Sequence, residues 1–241
     1  MTRIAVVGDF AESVTAHVAI NASLSQLARA AEGGIAHDWI ATPAAETADF
    51  AAFDGIWCTP ASPYASEAGA VRAIAHARTT GTPFFGSCGG YQHAVLEYAR
   101  TELGLVDADN TEVNPDTPTP LISGLSCALV EVTDGVRLLD DSRVAALVGA
   151  GQLEAAYHCS YGVNRAYLSR FDGSDLVFSG FDADGDPRVF EHRSHPFFIG
   201  TAFQPERAAL DGEPHPIVSA FVAACQVYQA DRSAQPEVKN P

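Results

Sequence analysis

The chain has 241 residues, 47% of them hydrophobic, with 14 Lys and Arg against 30 Asp and Glu and a formal net charge of −16. This length and apolar content suffice for the core of one large domain. The charge opposes binding to phosphate backbones and anionic membranes, so neither nucleic acid nor membrane is an expected partner.

The opening MTRIAVVGDF enters directly into an apolar strand pattern without a leader-like region, and no apolar run approaches the roughly 18 residues of a membrane span. Residues 3–8 read as a buried parallel strand. Val14, Val18, Leu24 and Leu27 follow at near-helical spacing, and Gly33-Gly34 stops that helix. Further strands are expected at 37–40 and 53–59, a helix from Ser66 to Arg78 ending at Gly81, a strand in TPFFGSC, and a helix from Gly90 to Leu103 closing at Gly104. Residues 107–120 are polar and proline-rich and read as a surface excursion.

Beyond the excursion, CALVEV, VRLL and AALVGA read as strands of a more antiparallel section. A hairpin follows, turning at Asp184-Gly185. Asp182, Asp184 and Asp186 alternate there like a calcium loop, but the remaining EF-hand ligands are missing and a polar turn is the better reading. HPFFIGTAF returns a strand to the core, and IVSAFVAACQVYQ forms a terminal helix. The pattern predicts an α/β fold of three layers: a mainly parallel central sheet with helices on both faces, plus an antiparallel section. It is read as one domain over residues 1–230, with a flexible tail over 231–241.

Cys58, Cys88, Cys127, Cys159 and Cys225 are an odd number with no C-x-x-C pair, so a reducing, cytoplasmic setting is expected, with most thiols as small core residues. No metal site or cofactor is expected, and no GxxxxGK[ST] phosphate loop is present. Cys88 is different. It sits in G-S-C-G-G, between an apolar strand and a helix, where small neighbours permit a strained turn that exposes a nucleophile. The helix N-terminus would lower its pKa, and the Gly89 amide would point where an oxyanion forms.

Together with TAFQPE at 201–206, this turn resembles the cysteine and histidine–glutamate motifs of class I glutamine amidotransferases, nearest to the glutaminase domain of CTP synthase. The similarity covers nearly the whole chain: IAVVG at 4–8, residues 70–100, DADNTEV at 107–113, YGVNRAY at 161–167 and HPFFIGTAFQPE at 195–206. In that family the cysteine attacks the glutamine amide, a histidine shuttles its proton, and a glutamate two positions on orients the histidine. The resemblance thus makes Cys88 the nucleophile and Glu206 the orienting acid, with Gln204 standing where the histidine belongs. It assigns glutamine contacts to Gln92 and Glu112, the acid serving the α-amino group.

Other positions depart from the family. His158 and Ser160 replace arginines that hold the substrate carboxylate, and Pro60-Ala61 replaces the Gly-Gly of the oxyanion hole, leaving the amides of Ala61 or Ser62 as donors. A glutamine amide cannot accept a thiol proton, so ordinary glutaminase turnover should be poor or absent. His158 is a candidate replacement base, against a solvated or substrate-contacting role, and Glu206 another. His93 should face away from the thiol, and His192, His195 and His215 read as structural.

Three functions remain open. The first is a stand-alone cysteine-dependent hydrolase of an amide or related C–N bond in a small amino-group-bearing compound. The second is an inactive homologue that binds a ligand or partner, and the third the glutaminase subunit of a separate synthetase. The synthetase half of CTP synthase is not expected in this chain. The expected ligand is a small amide or amino-acid-like molecule, with a homodimer as one possible assembly.

Overall fold

The structure is a computed structural model that describes residues 1–31, 33–149 and 151–234, without the side chains of residues 126 and 127. In chain order its elements are β1 (Thr2–Val7), α1 (Thr15–Ala30), β2 (Ile35–Ile40), α2 (Thr42–Ala45), β3 (Gly55–Cys58), α3 (Glu67–Thr80), β4 (Phe84–Ser87) and α4 (Gly89–Thr101). There follow β5 (Asp109–Asn110), β6 (Pro120–Leu138), α5 (Arg143–Val148), β7 (Gln152–Val163), β8 (Leu176–Phe181), β9 (Pro187–His192), β10 (Phe198–Thr201) and α6 (Pro216–Ala234). Short 3₁₀ turns cover Phe50–Ala52, Arg165–Phe171 and Pro205–Asp211.

All strands belong to one sheet, ordered β2-β1-β3-β4-β10-β9-β8-β6-β5, with β7 on β6. The pairs from β2 through β10 are parallel, whereas β10-β9, β9-β8, β8-β6 and β6-β7 are antiparallel. The chain leaves β1 toward β2 on one side, then returns to build β3 and β4 on the other. Right-handed crossovers running in opposite directions put their helices on opposite faces. Accordingly α1 packs with α6, and α3 with α4. The core between them is aromatic: Trp57, Phe84, Phe85, Phe198 and Phe221 are fully buried, and Phe84 stacks on Phe198 at 4.4 Å.

The expected mainly parallel sheet with an antiparallel section is therefore present, and the β8–β9 hairpin turns at the expected place, with Gly185 at φ 83°. Asp182 accepts hydrogen bonds from the Asp184 and Asp186 amides at 3.0 and 2.8 Å and from Arg188, an ordinary polar turn. CALVEV and the first three residues of VRLL are portions of the single long strand β6, which ends at Leu138.

AALVGA is not a strand. Its residues 145–148 belong to α5 and residue 150 lies outside the described residues: Ser142 caps the Ala145 amide at 3.0 Å, Gly149 closes the helix at φ 69°, and the Glu191 carboxylate accepts from the free amides of Arg143 and Val144. Terminal capping overrides an apolar, β-like composition here. The last helix reaches Ala234, four residues into the segment read as tail (231–234), while 235–241 lie outside the described residues.

Candidate active site

In an open parallel sheet, ligands collect beyond the carboxyl ends of the strands. Here the segments that follow β3, β4 and β10 converge there, bringing Pro60–Ser62, Cys88 and Gln204 to one cavity of about 410 Å³. Its wall also includes Gln92 from α4, Glu112 from the segment after β5, Glu131 from β6, and His158, Cys159 and Ser160 from β7.

Cys88 occupies the expected elbow. Its φ of 50° and ψ of −103° lie outside the regions open to an ordinary L residue, a strain of about 1–3 kcal/mol that the surroundings must hold. The holding contacts are visible. The Cys88 amide donates to the Thr201 carbonyl at 2.8 Å, tying the elbow to β10. A Cβ on Gly90 would lie 2.1 Å from the Cys58 carbonyl oxygen, so α4 meets β3 only through glycine. A Cβ on Gly89 would lie 3.2 Å from the Ser62 amide nitrogen, which sets the start of α4 directly against the 59–62 segment. Among the described residues, neither the Gly89 nor the Ala61 amide has a hydrogen-bond partner, and Ala61 itself has φ 75°. Buried His17 supports this segment: its Nδ1 accepts from the Ala11 amide, so its Nε2 carries the proton and donates to the Pro60 carbonyl at 3.2 Å.

The thiol's immediate neighbour is Cys159, Sγ to Sγ 3.3 Å, a residue the sequence reading left among the core thiols. Gln92 Nε2 donates to Cys159 Sγ at 3.4 Å and to the Tyr161 carbonyl at 3.0 Å. Hydrogen bonding to Cys159 and burial push the Cys88 thiol well above its ordinary range, and the same bond draws Cys159 down. One proton is shared: the first ionisation of the pair is eased and the second resisted. The helix N-terminus therefore does not leave Cys88 with a simply lowered pKa, because a second thiol in contact outweighs it. Gln204 lines the cavity beside Cys88, where it eases the upward push on the thiol slightly but has no group that could take its proton.

Glu206 does not orient residue 204 through a hydrogen bond. Its Oε1 accepts from Ser87 Oγ at 3.1 Å, and Ser87 Oγ accepts in turn from the Trp57 indole at 3.2 Å. Complete burial raises its carboxyl from an ordinary value near 4.5 to about 8, so at neutral pH it is mostly protonated and a poor base.

His158 and Cys159 are separated by strand alternation. Cys159 turns inward to Cys88, while the exposed His158 ring donates from Nδ1 to Glu131 Oε1 at 2.8 Å, leaving only the His158 carbonyl near the thiol, at 3.6 Å. Glu131, with φ 52° at an irregularity between β6 and β7, also receives Arg207 on both carboxylate oxygens, at 3.0 and 2.9 Å. Arg207 and His158 together hold the Glu131 carboxyl below its usual range. Arg207 is a cation in the cavity wall that sequence reasoning missed. Glu112 accepts from Ser62 Oγ at 3.0 Å, and Ser160 lies in the wall on the exposed side of β7.

The other histidines lie elsewhere. His93 Nδ1 pairs with the Gly89 carbonyl at 2.7 Å, one helical turn back and away from the cavity. His195 joins the Ala77 carbonyl to the Phe197 amide, and His215 accepts from the Ile217 amide; burial lowers both to about 4. His192 packs at the edge of Phe198. Among the described residues no group of three or more His, Cys, Asp or Glu is arranged to hold a metal ion, and no helix is long and apolar enough to cross a membrane.

A strand–elbow–helix cysteine at the carboxyl edge of this sheet, faced by a glutamine and an acid from neighbouring segments, defines a class. The profile of the family described as "Glutamine amidotransferase class-I" matches residues 14–224, and the chain belongs to that family. Within it the chain is related to the glutaminase region of CTP synthases. It is 32% identical over 238 residues to the CTP synthase of Methanopyrus kandleri, covering 89% of this chain and 43% of that protein. To the Rubrobacter xylanophilus CTP synthase it is 33% identical over 237 residues, covering 92% and 43%. The chain thus spans less than half the length of these curated relatives. The fold matches the Trypanosoma brucei CTPS glutaminase domain with bound acivicin at a TM-score of 0.78 and 21% identity, over 94% of each chain.

Proposed function

We propose that the protein is a cysteine-dependent hydrolase of an amide or related C–N bond in a small amino-group-bearing compound, with poor or no ordinary glutaminase activity. The observation that carries this reading is the strained Cys88 elbow, open to a cavity that also holds Gln92 and Glu112. Cys88 Sγ attacks the carbonyl carbon, the oxyanion is met by the amides of Gly89 and Ala61, and Glu112 receives a substrate ammonium. Gln92 has an unpartnered, buried Oε1 to offer the ligand. The C–N bond breaks as the protonated amine leaves, and water then hydrolyses the Cys88 thioester to the carboxylic acid and the free thiol. Since Gln204 cannot move a proton and Glu206 is neutral, Cys159, in contact with Cys88 and drawn below its ordinary range, supports the reading as the thiolate that takes the Cys88 proton and passes it to the departing amine.

The test is ammonia or amine release from a panel of small amides, glutamine included, by the wild type and Cys88→Ala. Release that survives the substitution, or no release from any amide, removes the proposal. A second reading, a binding protein without turnover, is favoured by the proton held on Cys88. Gln204→His separates the two: an idle glutaminase pocket regains glutamine hydrolysis, and a remodelled one does not.

A further inference from the structure

We infer that Cys88 and Cys159 form a two-thiol redox site that reacts with a small peroxide and closes reversibly to a disulfide. This does not depend on the hydrolase reading, since it needs only the two sulfurs, their spacing and their access.

The spacing is the first argument. Two cysteines 71 residues apart in sequence bring their sulfurs to 3.3 Å, against roughly 2.0 Å in a disulfide bond, so the remaining approach is a small side-chain rotation. Access is the second. Both residues line the open cavity, whereas Cys58 and Cys225 are fully buried away from it. The third argument is chemical. Gln92 Nε2 donates to Cys159 Sγ at 3.4 Å, and the bond to Cys88 draws the Cys159 thiol below its ordinary range, so the pair gives a thiolate more readily than an isolated buried cysteine would.

The reaction balances with hydrogen peroxide as oxidant. The thiolate of one cysteine attacks a peroxide oxygen; an S–O bond forms, the O–O bond breaks, and hydroxide leaves, giving a sulfenic acid. The second sulfur attacks the sulfenic sulfur; the S–S bond forms and a second hydroxide leaves. The two thiol protons convert both hydroxides to water, and two electrons have passed from the sulfurs to the peroxide. An external dithiol reverses the step. In the oxidised form the nucleophile is consumed and β7 is tied to the elbow, so the site is closed to any ligand that needs the free Cys88 thiol.

The experiment treats the native protein with stoichiometric hydrogen peroxide, quenches by denaturing alkylation, and reads intact mass and tryptic peptides. The expected result is loss of two alkylatable thiols together, a peptide linking Cys88 to Cys159, and full recovery with dithiothreitol. Cys159→Ser and Cys88→Ser should each yield no cross-link, and the remaining cysteine should be trapped by dimedone as its sulfenic acid. The inference is overturned if wild-type Cys88 proceeds to sulfinic acid as readily as in Cys159→Ser. It is equally overturned if the cross-link joins other cysteines, or if peroxide leaves both thiols alkylatable.

Discussion

Replacing Glu206 by glutamine tests the electrostatics beneath the elbow. The carboxyl is fully buried, accepts one hydrogen bond from Ser87, and is raised to about 8 from an ordinary value near 4.5. Between those values the unfolded chain has lost the proton and the folded chain retains it. Stability therefore falls as pH rises, because folding takes up a proton that becomes scarcer. The stabilising contribution of the protonated group is complete below about pH 4.5 and lost as pH passes about 8. Each pH unit within that window is worth up to about 1.4 kcal/mol, so from pH 5.5 to 7.5 the loss approaches ~3 kcal/mol. Glu206→Gln keeps the shape and an acceptor for Ser87 but cannot titrate. Urea unfolding of both proteins, followed by circular dichroism at several pH values, isolates the term as the wild-type minus variant difference, in which other titrating groups cancel. That difference should fall by up to ~3 kcal/mol between pH 5.5 and 7.5. A flat or rising difference refutes the neutral, buried carboxyl.

Gly90→Ala would drive a methyl to 2.1 Å from the Cys58 carbonyl and force α4 off β3; a loss of about 1–3 kcal/mol or more in urea unfolding is expected, with weakened alkylation selectivity at Cys88. Ser142→Ala removes the cap of α5 and should cost about 1 kcal/mol, measurable as a shift of the urea midpoint at unchanged slope. Arg207→Ala should raise the Glu131 carboxyl pKa, because the guanidinium is the leading cause of its lowering, and a carbon-13 carboxyl titration by NMR reads this directly.

The elbow was legible in the sequence because its physics is local. Only small residues let a strand turn into a helix around an exposed side chain, and the glycines at 86, 89 and 90 stand where that steric demand falls. The parallel half of the sheet was legible for a similar reason, since each β–α step carries its own stop signals. Cys159 was not. Its meeting with Cys88 depends on the register of β7 against β6 and on which face of β7 turns inward. The buried alternation of Ala155, Tyr157 and Cys159 was the available signal, and it separates Cys159 from His158. Glu131 and Arg207 were hidden for the same reason, one lying on an irregular strand and the other in a 3₁₀ turn, 76 residues apart. AALVGA misled because its composition favours a strand while the residues just outside it, Ser142 and Gly149, decide for a helix.

The hydrogen-bonded line from Trp57 through Ser87 to Glu206 has an optical side. The chain holds two tryptophans; Trp39 is half-buried beside Asn21, and Trp57 is fully enclosed with its indole N–H committed to Ser87. An excited indole redistributes its charge, so its emission responds to the field along that N–H. Ionising a carboxyl two hydrogen bonds away changes that field while leaving the packing around the ring intact. The protein therefore carries an intrinsic gauge of the charge beneath Cys88, readable as a spectral shift without label, ligand or turnover.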